Sequence, residues 1–301
     1  MTLPSVRTQA WLTLAALALT WGSSYILITR SLVALEAWQV GCLRGVLAAA
    51  AFLPIAWRHC RGLSAKRWGT LSAVGIFGTG LPAFLFPLAQ RTLDSSLAAA
   101  LSSLTPLMTA VVAVAGFGMA LRRGRALGIA VGLAGALVIV AGRYGLPTAT
   151  GAGWPVASIA LAVSGTLCYA TSSNLVKRFL DGVDVLQVSA GAMLPLGLAG
   201  VAGLLFGGGL PLSAAAAGVN SAGELVFAYG AVTFLALVGT ALASWLFFRL
   251  VQLTDPVFAS SVSYLVPIVA LGWGLVAGEP INATILVGLS LVLAGVYMSK
   301  R

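Results

Sequence analysis

Residues 78–106 read GTGLPAFLFPLAQRTLDSSLAAALSSLTP, and residues 239–267 read GTALASWLFFRLVQLTDPVFASSVSYLVP. Placed over each other without gaps, at an offset of 161 residues, the two stretches agree at ten of 29 positions. Chance agreement in so apolar a composition is roughly three positions. The agreement therefore indicates an internal repeat. The matched pairs are Gly78/Gly239, Thr79/Thr240, Leu81/Leu242, Leu85/Leu246, Phe86/Phe247, Asp94/Asp255, Ala98/Ala259, Ser102/Ser263, Leu104/Leu265 and Pro106/Pro267.

The repeat extends beyond that stretch in both directions. A one-residue shift adds the pairs Gly128/Gly288 and Gly135/Gly295, and toward the front an offset of 148 residues lays Trp21 on Tyr169 and Gln39 on Gln187. We therefore predict two units, residues 1–147 and 148–301, whose helices correspond one to one.

The composition places both units in a membrane. Hydrophobic residues make up 59% of the chain and charged residues only 8%, whereas soluble domains carry about 25% charged residues. Apolar runs close to the ~20 residues that cross a bilayer recur along the chain. The predicted spans are 9–29, 37–57, 68–89, 96–121, 126–142, 154–176, 185–206, 225–248, 257–277 and 283–299.

The distribution of cations gives these spans an orientation. With a cytoplasmic N-terminus, thirteen Lys and Arg residues fall in the inside segments. Only Arg30, Arg91 and Arg143 fall outside, and Arg44 lies within a span. This asymmetry follows the positive-inside rule, so the net charge of +10 reports topology and does not indicate nucleic-acid binding. We predict an all-α membrane protein of ten transmembrane helices with N- and C-termini cytoplasmic. Because five is odd, its two five-helix repeats are inverted relative to each other, a recurring plan of secondary transporters.

Several short motifs follow one another in a characteristic order. They are Trp21-Gly22-Ser23-Ser24-Tyr25, Arg44, Ser102-Ser103-Leu104-Thr105-Pro106-Leu107, Ser263-Tyr264-Leu265-Val266-Pro267-Ile268, Gly278-Glu279-Pro280, Gly288 and Gly295. In this order the chain resembles the drug/metabolite transporter superfamily, specifically its EamA-type ten-helix exporters. The resemblance implies a carrier of the bacterial cytoplasmic membrane that exports amino acids or related small metabolites without ATP. One departure is that Met119 stands where the second half has Glu279, so any role of this glutamate is confined to one half.

Aromatic and hydroxyl residues of the central spans are the candidate lining of a substrate cavity. An apolar cavity with a few polar groups suits neutral or zwitterionic substrates. Alternatively, the aromatic side chains belong to interfacial belts and the hydroxyls bond helix to helix. The candidates are Trp21, Tyr25, Phe84, Ser102, Ser103, Tyr169, Ser172, Asn174, Trp245, Phe248, Ser263 and Tyr264.

Arg44 is the further candidate, because a cation inside a span is costly unless it is paired or hydrated. Its guanidinium suits a substrate carboxylate. The alternative role is structural, with Arg44 binding backbone carbonyls or a neighbouring helix.

Prolines within the spans are candidate hinges. Pro106 and Pro267 occupy matching places, where each removes a helical hydrogen bond and frees a carbonyl group. Pro82 has no proline partner, because Ala243 stands at its place in the second half, so we expect the two halves to bend differently. The alternative is a set of static kinks that only improve packing.

Other function classes lack their usual residues. The sequence contains no phosphate-binding Gly-rich loop ending in Lys-Ser or Lys-Thr, and Cys42, Cys60, Cys168 and His59 show no metal-ligand spacing. We therefore expect no metal, no cofactor and no enzyme activity. Asp and Glu residues fall at or near the predicted span ends, which favours facilitated diffusion or exchange, with Glu36 and Glu279 as fallback proton sites. A lipid or drug flippase and a proton-coupled drug exporter stay open as alternatives, and an intramembrane enzyme is the least favoured class.

Overall fold

The chain forms a bundle of apolar helices. The computed structural model describes residues 6–118, 123–145, 154–253, 259 and 262–299, and this part contains helices and no strands. The helices are α1 Val6–Ser31, α2 Ala37–His59, α3 Ala65–Gly75 continued by Leu81–Ala89, α4 Ser95–Ser102 continued by Thr105–Phe117, α5 Arg123–Tyr144, α6 Val156–Phe179, α7 Val185–Phe206, α8 Ala222–Ala236 continued by Ala243–Leu253, α9 Val262–Val276 and α10 Ala283–Ser299. A single helical turn, Ala214–Ala217, lies between α7 and α8.

The helices match the predicted spans in place and type. Among the described residues, α1 to α8 each supply a segment long and apolar enough to cross a membrane, whereas the apolar segments of α9 and α10 are shorter. Residues 119–121 of the predicted fourth span, and all but Ala259 of residues 257–261 of the ninth, lie outside the described residues. Large apolar side chains such as Leu198, Leu205 and Phe206 point outward, as expected of a surface solvated by lipid.

A π-helical turn interrupts α3 and α8 at corresponding places. The turns are Ile76–Gly80 and Leu237–Leu242, which the 161-residue offset of the repeat superimposes. Each turn contains a Gly-Thr pair. A Cβ atom added at Gly78 would lie 2.5 Å from Ser172 Oγ on α6, and one at Gly239 would lie 3.0 Å from Ser24 Oγ on α1. The glycines therefore let each π turn approach a neighbouring helix closely.

Only the π turn of α3 is closely followed by a proline. Pro82 lies two residues after the π turn of α3, but a π turn also forms in α8, where Ala243 stands at the corresponding position. A π turn therefore forms at this place both with and without a proline after it.

Pro106 and Pro267 lie in different settings despite their matching positions. Pro106 is in the first turn of the second segment of α4, after a break at residues 103–104, whereas Pro267 lies inside α9. The Ser102 carbonyl that Pro106 leaves without an N–H donor accepts a hydrogen bond from Thr105 Oγ1 at 2.7 Å. This carbonyl is thus satisfied within α4.

Two pairs of corresponding helices, α5–α10 and α2–α7, pack against each other in antiparallel orientation. In the α5–α10 pair, a Cβ atom added at Gly135 would lie 2.7 Å from Gly288 O, and one at Gly295 would lie 2.5 Å from Gly128 O. Exchanging the two halves maps the first contact onto the second. Small residues at such interfaces let helix backbones approach in a membrane, where van der Waals packing drives association.

The α2–α7 pair is clamped at both ends by matched glutamines. Gln39 Nε2 donates to Gly209 O at 2.9 Å, and Gln187 Nε2 donates to His59 O at 2.6 Å. Each glutamine lies in the first turn of its helix. Gln39 binds the chain just after the end of α7, and Gln187 binds the last residue of α2. The two predicted units therefore make equivalent contacts across the bundle.

Candidate functional site

Arg44 is buried on α2 against the π turn of α8. Only 7% of the surface of this residue is exposed. Its Nε and Nη2 groups donate to Thr240 Oγ1 at 3.3 and 3.0 Å, and Thr240 Oγ1 donates in turn to Leu235 O at 3.0 Å. Within the described part of the chain, Arg44 forms no ion pair. The guanidinium is therefore a buried cation without a protein counter-ion.

Two tyrosines stand close to this cation. Phe86 packs edge-on against Tyr25, with ring centroids 5.5 Å apart, and stacks on Tyr169 at 5.9 Å. Both phenol groups interact electrostatically with Arg44, and Tyr25 also hydrogen-bonds with Ser102. We refer to Tyr25, Arg44, Phe86, Tyr169 and Thr240 as the central cluster. It joins α1, α2, α3, α6 and α8 through one cation, two phenols, an apolar ring and a hydroxyl.

A second aromatic contact occupies the corresponding place in the other half. Trp21 on α1 packs against Phe247 on α8, with ring centroids 5.4 Å apart. The repeat pairs Trp21 with Tyr169 and Phe247 with Phe86, so this contact is the counterpart of Tyr169 on Phe86. Phe248 follows, 6.0 Å from Phe247.

Several predicted lining residues contact neighbouring helices instead. Phe84 lies against α2, where a Cβ atom added at Gly41 would meet its ring at 2.5 Å. Ser172 donates to Val74 O on α3 at 3.0 Å, and Asn174 donates to Thr109 O on α4 at 3.2 Å. These polar side chains bond helix to helix, which is the alternative role that their sequence positions allowed.

The remaining predicted residues are spread around the bundle. Ser102 and Ser103 donate to carbonyls of α4 itself. Trp245 packs beside the core of α2 and α7, with the Arg249 guanidinium 5.4 Å from its ring centroid. Ser263 and Tyr264 are half-buried on α9. The structure thus brings together Tyr25, Arg44, Ser102 and Tyr169, and it leaves Phe84 and Trp245 elsewhere.

Glu279 forms a cluster at the end of the bundle where α3 ends and α4 begins. Its carboxylate accepts hydrogen bonds from the backbone N–H groups of Ser95 and Ser96, both at 2.9 Å, from Ser95 Oγ at 2.6 Å, and from Ser96 Oγ. Partial burial acts to raise the pKa of Glu279, but the serine hydrogen bonds outweigh it, and the pKa lies below its ordinary value. We refer to Glu279, Ser95 and Ser96 as the α4 latch, because it ties the α9–α10 connection to the start of α4.

Two matches to a known family decide the identity of this architecture. The EamA-like transporter family matches residues 9–141 and again residues 156–300. The chain belongs to the EamA-like transporter family. A solved structure described as "Crystal structure of protein" shares the fold, with a TM-score of 0.62 and 20% identity over 97% of this chain and 96% of that chain. No curated protein matches the chain. The protein is thus a multi-pass membrane transporter of the drug/metabolite type.

The central cluster of this EamA-like chain is asymmetric. The offset that pairs Gln39 with Gln187 places Ala192 opposite Arg44, and the repeat pairs Thr240 with Thr79. Ala192 packs its backbone carbonyl against Gly75, beside the π turn of α3. The transporter therefore has an arginine against the π turn of α8 and a small apolar residue, Ala192, beside the π turn of α3.

Two residues of the central cluster were missed by sequence reasoning. Phe86 and Thr240 were not among the predicted lining residues, yet both belong to the ten identical pairs of the repeat. Identity between the halves was therefore a usable signal for them. The described His, Cys, Asp and Glu residues form no group of three or more that could hold a metal ion.

Proposed function

We propose that this EamA-like transporter exports amino acids or related small carboxylates across the bacterial cytoplasmic membrane by alternating access. The observation that carries the proposal is the buried Arg44 guanidinium, which has hydrogen bonds only to Thr240 and no ion pair among the described residues. A buried cation costs several kcal/mol unless a partner compensates it. A substrate carboxylate is the partner that a planar guanidinium binds best.

The neighbours of Arg44 suit the rest of such a substrate. Phe86 and the ring carbons of Tyr25 and Tyr169 offer apolar surface, while the phenol and threonine hydroxyls offer hydrogen bonds. A mostly apolar site with a few polar groups is typical of small-molecule binding. The central cluster therefore fits a small molecule that carries one carboxylate and an apolar or aromatic portion.

Alternating access in this proposal uses ten spans arranged as two inverted five-helix repeats, 1–147 and 148–301, with both termini cytoplasmic. Supporting this, the corresponding helices of the α2–α7 and α5–α10 pairs pack antiparallel, and the α5–α10 glycine contacts exchange with each other when the halves are exchanged. Two halves of similar shape and opposite orientation can exchange conformations and so open one site to alternate sides of a membrane. Pro82, Pro106 and Pro267 are the proposed hinges.

Transport in this proposal is facilitated diffusion or exchange. Glu36 pairs with Arg91, and the α4 latch engages Glu279 with four donors. Both fallback proton sites thus have partners that favour their charged forms. The lowered pKa of Glu279 leaves this carboxylate ionised near neutral pH.

The test is counterflow of labelled amino acids in liposomes that contain the purified protein. The panel spans aromatic, aliphatic, basic and acidic side chains, with and without a pH gradient. We expect counterflow of at least one neutral amino acid and little effect of the gradient. Strong accumulation driven by the gradient would contradict uncoupled transport, and movement of a labelled phospholipid without any amino-acid counterflow would favour a flippase.

A further inference from the structure

A separate polar cavity of about 310 Å³ opens at the α3–α4 end of the bundle. Its wall includes Thr29 and Arg30 at the end of α1, Gln90 and Asp94 after α3, and Glu279 of the α4 latch. Ile26 and Leu93 add apolar surface. The volume is at the lower end of the range of small-molecule sites, about 300–1,000 Å³.

The charged groups around this cavity differ in whether they have an ion-pair or hydrogen-bond partner. Asp94 pairs with Arg143, Arg91 pairs with Glu36, and Glu279 accepts the four hydrogen bonds of the latch. Arg30, in contrast, forms no ion pair within the described residues. Among the described residues, the acidic groups at the cavity therefore have partners, and the charged group without an ion pair is the Arg30 cation.

Gln90 supplies a second donor without an acceptor. The residue is 6% exposed, and its Oε1 accepts from Thr29 Oγ1 at 3.0 Å. Its Nε2 has no hydrogen-bond partner among the described atoms. A buried polar group without a partner costs about 1–3 kcal/mol. An amide donor and a guanidinium at one cavity together match the oxygens of a carboxylate.

The cavity lies one helical turn beyond the central cluster, toward the end of α1 and the end of α3. Thr29 is four residues after Tyr25, and Gln90 is four residues after Phe86, so each is one helical turn, about 5.4 Å, farther along its helix. The Tyr25–Phe86 contact separates the two sites. Under the proposed topology the cavity faces the exterior, on the path that an exported molecule takes after leaving Arg44.

We propose that this cavity is a second substrate site, in which Arg30 and Gln90 Nε2 bind the carboxylate of the departing substrate. The inference rests on the proposed function, since it assigns the cavity to the same carboxylate-bearing molecule. Each molecule passes from one cationic site to another, one turn beyond the Tyr25–Phe86 contact. The transporter therefore binds two carboxylates, one at Arg44 and one at Arg30 with Gln90.

The probe for this inference is 4-fluorobenzoate, observed by ¹⁹F NMR with the full chain in lipid nanodiscs and with empty nanodiscs as the blank. We expect two bound resonances. The double variant Arg30→Gln with Gln90→Leu removes one, and Arg44→Gln removes the other. The neutral analogue 4-fluorobenzamide binds either site at least about tenfold more weakly, because it cannot make charge-assisted hydrogen bonds.

Two controls keep the result interpretable. Arg91→Gln removes an equal charge at the same cavity, but Arg91 is already paired with Glu36, so we expect both affinities to stay within about twofold of the native values. Arg30→Gln alone changes an exposed side chain, so we expect the fold to stay intact. We expect this variant to lower the affinity of the probe for the same site about tenfold.

The outcomes separate this inference from the proposed function. If the double variant keeps both resonances at native affinity, or if Arg44→Gln removes every bound resonance, the second site is contradicted. If the resonance sensitive to Arg30 and Gln90 is present but none depends on Arg44, the second site stands and the proposed role of Arg44 fails.

Discussion

The two halves of the protein share a scaffold but differ at the centre. Their π turns, glutamine clamps and glycine contacts correspond, and so do the aromatic contacts of Phe86 and Phe247. At the π turns, however, the first half contributes Arg44 to Thr240, whereas the second half places Ala192 beside the turn that holds Thr79. The repeat thus gives two equivalent helix arrangements around the π turns, and among the described residues only one of these turns contacts an arginine.

This difference teaches that symmetry and binding have separate requirements. In the proposed mechanism, exchange of shape between the halves needs matched packing surfaces, which glycine and aromatic residues provide on both sides. Binding a carboxylate needs one cation, and a second buried guanidinium nearby would add another desolvation cost of several kcal/mol without a partner. The comparison predicts that substitutions at corresponding scaffold positions of the two halves change stability by similar amounts. At the central cluster, corresponding substitutions should change transport by different amounts.

The largest effect is expected at the α5–α10 contact. Gly135→Leu and Gly295→Leu each drive a side chain into backbone atoms of the partner helix at 2.5–2.6 Å, so both should cost more than about 3 kcal/mol and lose folded protein. Gly230→Leu on α8 is the control, because no atom lies within 4 Å of its added Cβ. Thermal unfolding and monodispersity in nanodiscs measure the effect. A severe loss for only one of the two glycines would break the symmetry of this contact.

The α4 latch gives the next effect and a pH dependence. Glu279→Gln should cost about 2 kcal/mol at neutral pH, because it replaces charge-assisted hydrogen bonds by neutral ones. Since the pKa of Glu279 is lowered on folding from an ordinary value of 4.5, its contribution is complete above that value and is lost as the pH falls through the lowered pKa.

Unfolding temperatures measured between pH 3 and 7 check this prediction. The difference between native protein and Glu279→Gln should shrink toward the acid end. Glu224→Gln is the control, because Glu224 accepts a single backbone hydrogen bond at the exposed start of α8, and it should change stability by less than about 0.5 kcal/mol. A constant gap for Glu279→Gln at every pH would contradict the ionised latch.

A smaller effect separates the two π turns. Thr240→Val removes the hydroxyl that Arg44 binds and should lower the transport rate about tenfold, which corresponds to about 1.4 kcal/mol. Thr79→Val, the matched change in the other half, should leave the rate within about twofold. Initial rates of counterflow, normalised to folded protein, compare them. Equal losses in the two variants would mean that the hydroxyls act in packing and not through Arg44.

The smallest effect tests the glutamine clamps. Gln187→Ala removes the bond to His59 O and should cost about 1 kcal/mol. Gln39→Ala should cost slightly more, since Gln39 Oε1 also accepts from the Glu36 N–H at the start of α2. Unfolding temperatures of the two variants report both costs. If either variant keeps the native unfolding temperature, that glutamine does not stabilise the α2–α7 pair.

The sequence predicted the helices well and the side-chain directions poorly. Apolar runs of about 20 residues mark helix positions directly, and the offset of 161 anticipated which helices correspond. Phe84 and Phe86 show the limit. They are two residues apart, so their side chains point about 200° apart around α3. Phe84 faces Gly41, whereas Phe86 faces Tyr25 and Tyr169.

Hydroxyl and amide groups show the same limit for a different reason. Ser172 and Asn174 were candidates for the cavity, yet they donate to carbonyls of α3 and α4. Whether a polar group in a membrane faces a cavity or another helix depends on tertiary contacts that hydropathy does not encode. Arg44 was identified because a charge inside a span is rare, but its contact with the π turn of α8 followed only from the structure.

The most direct test of the central claim compares a carboxylate with its absence at Arg44. Counterflow in liposomes is measured for labelled L-leucine and for its decarboxylated analogue 3-methylbutylamine, with native protein and with folded Arg44→Gln. We predict that native protein prefers the amino acid at least about tenfold and that Arg44→Gln loses this preference. A variant that keeps the full preference would contradict the assignment of Arg44 as the carboxylate site.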